Sequence, residues 1–171
     1  MSASLTEHTR RSGFAPLVTP HTRVLVLGSL PGEASLAAGQ YYANPHNQFW
    51  ALIGALLDRS DLPALPYTQR LEILALRGIG LWDVFTSAAR AGSLDSAIKQ
   101  AAAAPLAELV QRLPALQAIA FNGKLAAKAG RRAVGSASLA LIDLPSSSPA
   151  HAAIRFAAKL ERWSALKQFL N

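Results

Sequence analysis

The sequence predicts an open α/β sandwich built on a mostly parallel sheet, and three observations carry that expectation. Apolar runs of strand length, within residues 23–29, 118–121 and 139–144, lack the alternation of a half-exposed strand, so both faces should be buried. Segments with apolar residues at helical spacing lie between those runs. Glycine, proline, asparagine and serine gather just past the runs, where an α/β chain turns from strand to helix.

Each element has its own signal. Residues 1–12 are polar and aperiodic and read as a flexible arm, which leaves residues 13–171 as a single domain. Phe14, Leu17 and Val18 can pack as a covering segment, while Pro16 and Pro20 prevent a helix there. Residues 23–29 form the first strand, followed by a long loop. Phe49, Trp50, Leu52, Ile53, Leu56 and Leu57 then recur at helical spacing. Pro63 and Pro66 mark a turn, and residues 67–76 read as a second amphipathic helix. Gly78 and Gly80 end it, and residues 81–85 are a short strand carrying Trp82 and Asp83. Helices over residues 95–100 and 105–113 flank an alanine-rich link. Residues 118–121 are a third strand, ending at Asn122-Gly123 before a helix over residues 124–132. The fourth strand, residues 139–144, runs into a Ser-Pro loop, and a long helix over residues 150–169 closes the chain.

Composition narrows the function. A chain of 171 residues, 51% of them hydrophobic, suits one packed domain. Seventeen Lys and Arg against ten Asp and Glu leave a net charge of +7, which points to a polyanionic partner, nucleic acid before an anionic membrane surface. Without cysteine there are no disulfides or thiolate metal sites. No apolar run is long enough to span a bilayer and no signal-like segment opens the chain, so a cytoplasmic location and no membrane association are expected. There is no Gly-x-Ser-x-Gly elbow, no Gly-x-Gly-x-x-Gly or Walker loop after the first strand, and no metal-ligand spacing among the four histidines.

What remains is a site of amides and aromatics. Residues 28–47, Asp83, Asn122 and residues 145–151 all fall in or just past the C-terminal halves of strands, which in an open α/β sheet converge on one crevice. Tyr41 and Tyr42 offer faces for stacking, and Asn44, Asn47 and Asn122 can each donate and accept hydrogen bonds. Asn47, two residues before Phe49, can cap the following helix or hold a water by its amide oxygen, and the residues alone leave both open. Asp83 and Asp143 suit turn or cap hydrogen bonds better than catalysis, and Glu33 an exposed loop position better than activating water.

Gly28-Ser29-Leu30-Pro31-Gly32, then nine residues, then Tyr42-Ala43-x-Pro45-x-Asn47-x-Phe49-Trp50 resembles the first motif of the uracil-DNA glycosylase superfamily. The Gln40-Tyr41-Tyr42 run brings it closest to family 6, the hypoxanthine-DNA (deoxyinosine) glycosylases, with the mismatch-specific uracil glycosylases next. Residues 144–151, Leu-Pro-Ser-Ser-Ser-Pro-Ala-His, resemble the second motif, and Phe121-Asn122-Gly123 a middle strand end. The resemblance spans about residues 13–170. It implies a three-layer sandwich with a four-stranded parallel sheet in the order 2-1-3-4, no cofactor or metal, and a monomer acting on double- or single-stranded DNA. It also implies roles. Tyr42 would stack on an extruded base, with Gly28, Ser29, Leu30 and Phe49 around it and Asn122 bonding the base edge. Pro145, Ser146, Ser147, Ser148 and His151 would contact the DNA. Leu30 stands where mismatch-type relatives place a water-activating asparagine, and Leu144 where many uracil-specific relatives place a histidine. Weak or absent uracil activity follows, and Asn47 becomes the candidate to position the water.

The expected activity is therefore hydrolysis of the N-glycosidic bond of a flipped deaminated base, hypoxanthine before uracil, leaving an abasic site. Asparagine cannot act as a base, so stabilising the leaving group must carry the chemistry. Lys124 opens a helix and should face solvent, so no Schiff-base step is expected. A non-catalytic binder of damaged or single-stranded DNA is the alternative, and an enzyme on free nucleosides a third reading that the charge disfavours.

Overall fold

The structure, a computed structural model, describes residues 10–135 and 138–170. Along the chain run β1 (Arg10–Ser12), β2 (Val24–Gly28), α1 (Glu33–Ala38), α2 (Phe49–Leu56), α3 (Tyr67–Leu76), β3 (Ile79–Asp83), β4 (Phe85–Ala89), β5 (Lys99–Ala103), α4 (Leu106–Gln111), β6 (Ala118–Asn122), α5 (Lys124–Val134), β7 (Ala140–Leu144) and α6 (Phe156–Trp163). Four strands form a parallel sheet in the order β3-β2-β6-β7, which is 2-1-3-4 when these four are numbered by appearance. No helix among the described residues is long and apolar enough to cross a membrane.

The apolar runs are continuous because each strand buries alternate residues in two different cores. Val24 and Val26 of β2, with Leu81 and Ala120 beside them, pack against Phe49, Leu52 and Ile53 of α2 and Trp163 of α6. Leu25 and Leu27, with Trp82 and Phe121, point the other way onto Leu106 and Leu109 of α4 and Ala126 and Val134 of α5. A Cβ at Gly130 would stand 2.3 Å from Phe121, so α5 lies this close to β6 only because residue 130 has no side chain. The outer edge of β3 is partly covered, since Leu17 exchanges both backbone hydrogen bonds with Leu81, at 2.9 and 3.0 Å.

Several expectations need correction. Residues 10–12 of the supposed arm form β1, which pairs antiparallel with β4, while residues 1–9 lie outside the described residues. The second strand begins earlier, at Ile79, and the chain turns at Val84 into β4, a strand the sequence did not distinguish. Gly80 sits inside β3 because a Cβ there would meet Thr22 Cγ2 at 2.9 Å, so it marks close approach rather than a break. Residues 95–100 are not helical, since a single 3-10 turn, Asp95–Ala97, leads into β5. Alanine-rich β5 is a strand because β4 offers an edge, a tertiary override of helix propensity. Within residues 33–38 the long motif loop contains α1. The final helix starts only at Phe156, and after Trp163 the chain tightens into a 3-10 segment, Ser164–Phe169. Upstream of it, Ser146 Oγ accepts from Ser148 N at 3.1 Å and Ser148 Oγ from Ala150 N at 3.2 Å. These turns compete with helix formation and hold the segment open.

Candidate active site

Parallel register brings the strand ends to one level. Gly28 pairs with Asp83, Leu27 with Phe121, and Asn122 with Leu144. Beyond those ends lies a cavity of about 180 Å³ lined by Gly28, Leu30, Tyr42, Asn47, Asp83 and Asn122, with Ser29, Ser146, Ser147 and Ser148 also at its wall. Below the ~300–1,000 Å³ of drug-sized sites, it has the scale of a single planar heterocycle. Among the described residues no group of three or more His, Asp or Glu side chains is placed to hold a metal ion.

Tyr42 adopts a left-handed backbone with φ of 55°, unusual for an aromatic residue. Such a conformation costs about 1–3 kcal/mol and persists where its surroundings hold it. Here Phe49 stacks on one face of the Tyr42 ring, with centroids 3.9 Å apart and planes 16° from parallel. The Tyr42 hydroxyl accepts from Asn122 Nδ2 at 3.3 Å, and Ala43 N donates to Ser35 Oγ at 3.1 Å. Burial, and then the nearby Asp83, push the Tyr42 phenol pKa up, so it stays protonated. Phe49 itself is fully buried behind Tyr42 and does not reach the cavity, so it backs the Tyr42 ring rather than lining the site.

Asn122 and Asn47 are partly engaged by the fold. Asn122 Oδ1 accepts from Ser147 N at 2.9 Å, and its Nδ2 donates to Ser147 Oγ at 2.9 Å and to Tyr42. Both amide hydrogens are therefore used, which makes Asn122 a clamp between β6, Tyr42 and the Ser-Pro loop. Ser147 is the other jaw. It is fully buried, so its side chain is not available to a phosphate. Its carbonyl accepts from Gln48 N at 2.9 Å, and Gln48 Oε1 accepts from the buried Lys159 Nζ at 2.9 Å, so the two motif loops are tied together. Asn47 Oδ1 accepts from Phe49 N at 3.0 Å, a local side-chain turn onto the first N–H of α2, whose N-cap residue is Gln48. One lone pair and the Nδ2 group remain, and the half-buried side chain lines the cavity.

An acidic and arginine cluster sits where the sequence favoured turn bonding over catalysis. Asp83 is 4% exposed, lines the cavity, and its Oδ2 has no hydrogen-bond partner. Burial first and Asp95 second raise its pKa to about 7, against a lowering pull from Arg90. Ser29 Oγ donates to Asp95 Oδ1 at 2.5 Å. Arg90, also buried, donates to the carbonyl of Pro31 and reaches that of Leu30 at 3.5 Å, which fixes the glycine-proline turn from beneath. Arg90 and Asp95 lie far along the chain from every motif, so local pattern carried no sign of them. Glu33 is exposed and pairs with Arg11 at 3.5 Å.

Beside the cavity opens a cleft of about 860 Å³ lined by Lys124, Lys128, Arg131, His151 and Arg162, together with Pro145. Arg131 is paired with Asp143 at 3.0 Å, while Lys124, Lys128 and Arg162 are exposed. Leu94, 55% exposed, lines both the cavity and the cleft and so stands at their boundary.

Proteins similar to this chain carry DNA glycosylase names. Curated relatives named hypoxanthine DNA glycosylase, from Methanosarcina barkeri and Methanosarcina acetivorans, are 41% and 39% identical over 67% and 68% of this chain, covering 72% and 73% of their own length. A Methanosarcina acetivorans protein solved by solution NMR and provisionally assigned as a uracil DNA glycosylase superposes with a TM-score of 0.81 at 33% identity, over 94% of this chain and 98% of that one. The family model of the uracil DNA glycosylase superfamily matches residues 15–167, and with strand order, motif loops and cavity in agreement, the chain belongs to that superfamily.

Proposed function

We propose that this protein is a monofunctional DNA glycosylase that extrudes a deaminated base, hypoxanthine in preference to uracil, and hydrolyses its N-glycosidic bond to leave an abasic site. The observation that carries the reading is a one-base cavity at the strand ends, walled by Tyr42, Asn47 and Asp83 and opening beside a cationic cleft. The names of the two curated relatives support hypoxanthine as the base.

Bond cleavage gives the sugar oxocarbenium character and leaves negative charge on the departing base. A base held in the cavity stacks against Tyr42, which offsets about 1–3 kcal/mol of the unpairing cost. Asn47 holds the attacking water through its free lone pair, since it cannot remove a proton. Leu30, buried at the wall, supplies no polar group, which is the physical reason for expecting slow uracil release. Ser146, Ser148, His151, Lys124 and Lys128 take the phosphates along the cleft. Leu94, the exposed apolar residue at the cavity mouth, fills the gap left by the flipped nucleotide, the task of an apolar wedge.

An oligonucleotide with one deoxyinosine tests this directly. An abasic product that breaks only after alkali means glycosylase action without a lyase step. Retention of the DNA with no product would instead favour a non-catalytic binder on the same fold.

A further inference from the structure

We propose that Asp83 is the general acid of the reaction: its carboxyl donates a hydrogen bond, and then a proton, to an acceptor on the imidazole or carbonyl edge of the departing 6-oxopurine. This rests on the glycosylase reading above and adds to it a residue that touches the base.

Three observations carry it. Asp83 lies 4% exposed at the end of β3, on the wall of the base-sized cavity, with Oδ2 unpartnered. An unpartnered carboxylate oxygen enclosed in a buried site is costly, which favours the protonated carboxyl over the carboxylate. The neighbouring strand is cut away to admit it, because a Cβ at Gly28 would stand 2.6 Å from Asp83 Oδ1 and 3.2 Å from the Tyr42 hydroxyl. Asp83 and the stacking tyrosine thus meet over a bare backbone. No other carboxylate serves. Asp95 is exposed and accepts the Ser29 hydroxyl, and Glu33 is paired with Arg11.

Burial first, and then the charge of Asp95, keep part of the Asp83 population protonated at neutrality. Asp95 faces it from the segment before β5, Arg90 from beyond β4, and the Tyr41 and Tyr42 phenols from the loop between α1 and α2. Burial and Asp95 hold the carboxyl up, Arg90 restrains it, and the balance lies at about 7. Both phenols are themselves held protonated by burial. A group balanced there is suited to give up a proton at physiological pH.

The step balances. As the C1′–N9 bond breaks, its electron pair goes to the purine, and the Asp83 proton moves to the base, most effectively to N7, so that the base leaves neutral. Water adds to C1′ and loses a proton to solvent, and Asp83 regains one from solvent. The sum is hydrolysis.

The test is single-turnover release of hypoxanthine from a duplex with one deoxyinosine, measured from pH 5.5 to 9 for the wild type, Asp83→Asn and Asp83→Glu. The wild-type rate should fall about tenfold per pH unit above about 7, as for any single acid of that pKa. Asp83→Asn should be at least ~100-fold slower at pH 6 and lose the falling limb, whereas Asp83→Glu should keep a displaced limb. Ionisation of the base itself would leave the limb in Asp83→Asn, and that result overturns the assignment. So does a wild-type profile that stays flat above pH 7, which needs no variant to fold. Affinity for a duplex with a tetrahydrofuran abasic analogue should change less than threefold in Asp83→Asn, and a larger loss means that Asp83 holds the site together rather than acting on the base. Release with the wrong pH profile removes Asp83 alone, and no release by the wild type at any pH removes the glycosylase reading with it.

Discussion

Asn47 carries two demands on one carboxamide. Its oxygen accepts from Phe49 N, the first N–H of α2, and its remaining groups face the cavity. Asn47→Ala removes both, so the loss of that hydrogen bond, about 0.5–1.5 kcal/mol, should appear as a lower melting temperature beside a fall in hypoxanthine release of about 100-fold. Asn47→Ser restores an oxygen for that bond and should recover stability without the rate, and a rate loss under about tenfold in Asn47→Ala removes the water-holding role. Asn122 makes a different prediction. Asn122→Ala strands the buried Ser147 N–H, so unfolding free energy should drop by about 1–3 kcal/mol, read from a urea titration. Asp83 adds a pH signature to stability. Its folded pKa, about 7, lies above the ordinary carboxyl value of 3.8, so between those values the folded state binds the extra proton and stability falls as pH rises. The melting temperature of the wild type relative to Asp83→Asn should therefore decline from pH 5 to pH 8. Tyr42 and Asn47 could be singled out because their segment resembles the superfamily's first motif. The partners of Asp83 could not, since Arg90 and Asp95 reach it only through the small antiparallel sheet.

At the scale of elements, the motif loops are rigid because they bond each other. Lys159 on α6, Gln48 at the start of α2, Ser147 and Asn122 form one hydrogen-bonded path from the C-terminal helix to Tyr42. Gly28 is the close-packed point of that assembly. Gly28→Ala would drive a methyl into Asp83 Oδ1 and towards the Tyr42 hydroxyl, so release should fall at least tenfold while far-ultraviolet dichroism stays unchanged. The parallel strands and α2, α3 and α5 were legible because their apolar patterns match what they bury. The small sheet was not. In β5 the sequence Lys-Gln-Ala-Ala-Ala carries helix propensity, and only the neighbouring β4 makes it a strand. The long final helix failed for a related reason, because serine side chains of residues 146 and 148 hold the chain in turns up to α6.

For the whole molecule, the net charge is +7, and Lys124, Lys128 and Arg162 bring exposed positive charge to the cleft beside the cavity. Affinity for DNA should fall linearly with the logarithm of salt, and Lys128→Ala should reduce that slope by about one while leaving the single-turnover rate at saturating protein unchanged. The position of the crevice could be anticipated because a parallel sheet sends its strand ends to one side, whereas the strand order came from the resemblance to the superfamily. Base choice depends on a few atoms in a small cavity and left little trace in pattern beyond Leu30 and Leu144. The most direct test is therefore release of free base under single-turnover conditions from matched duplexes bearing one deoxyinosine or one deoxyuridine. Hypoxanthine released at least tenfold faster than uracil, with strand breakage only after alkali, is the predicted result. Equal or faster uracil release, or no release from either duplex, would contradict it.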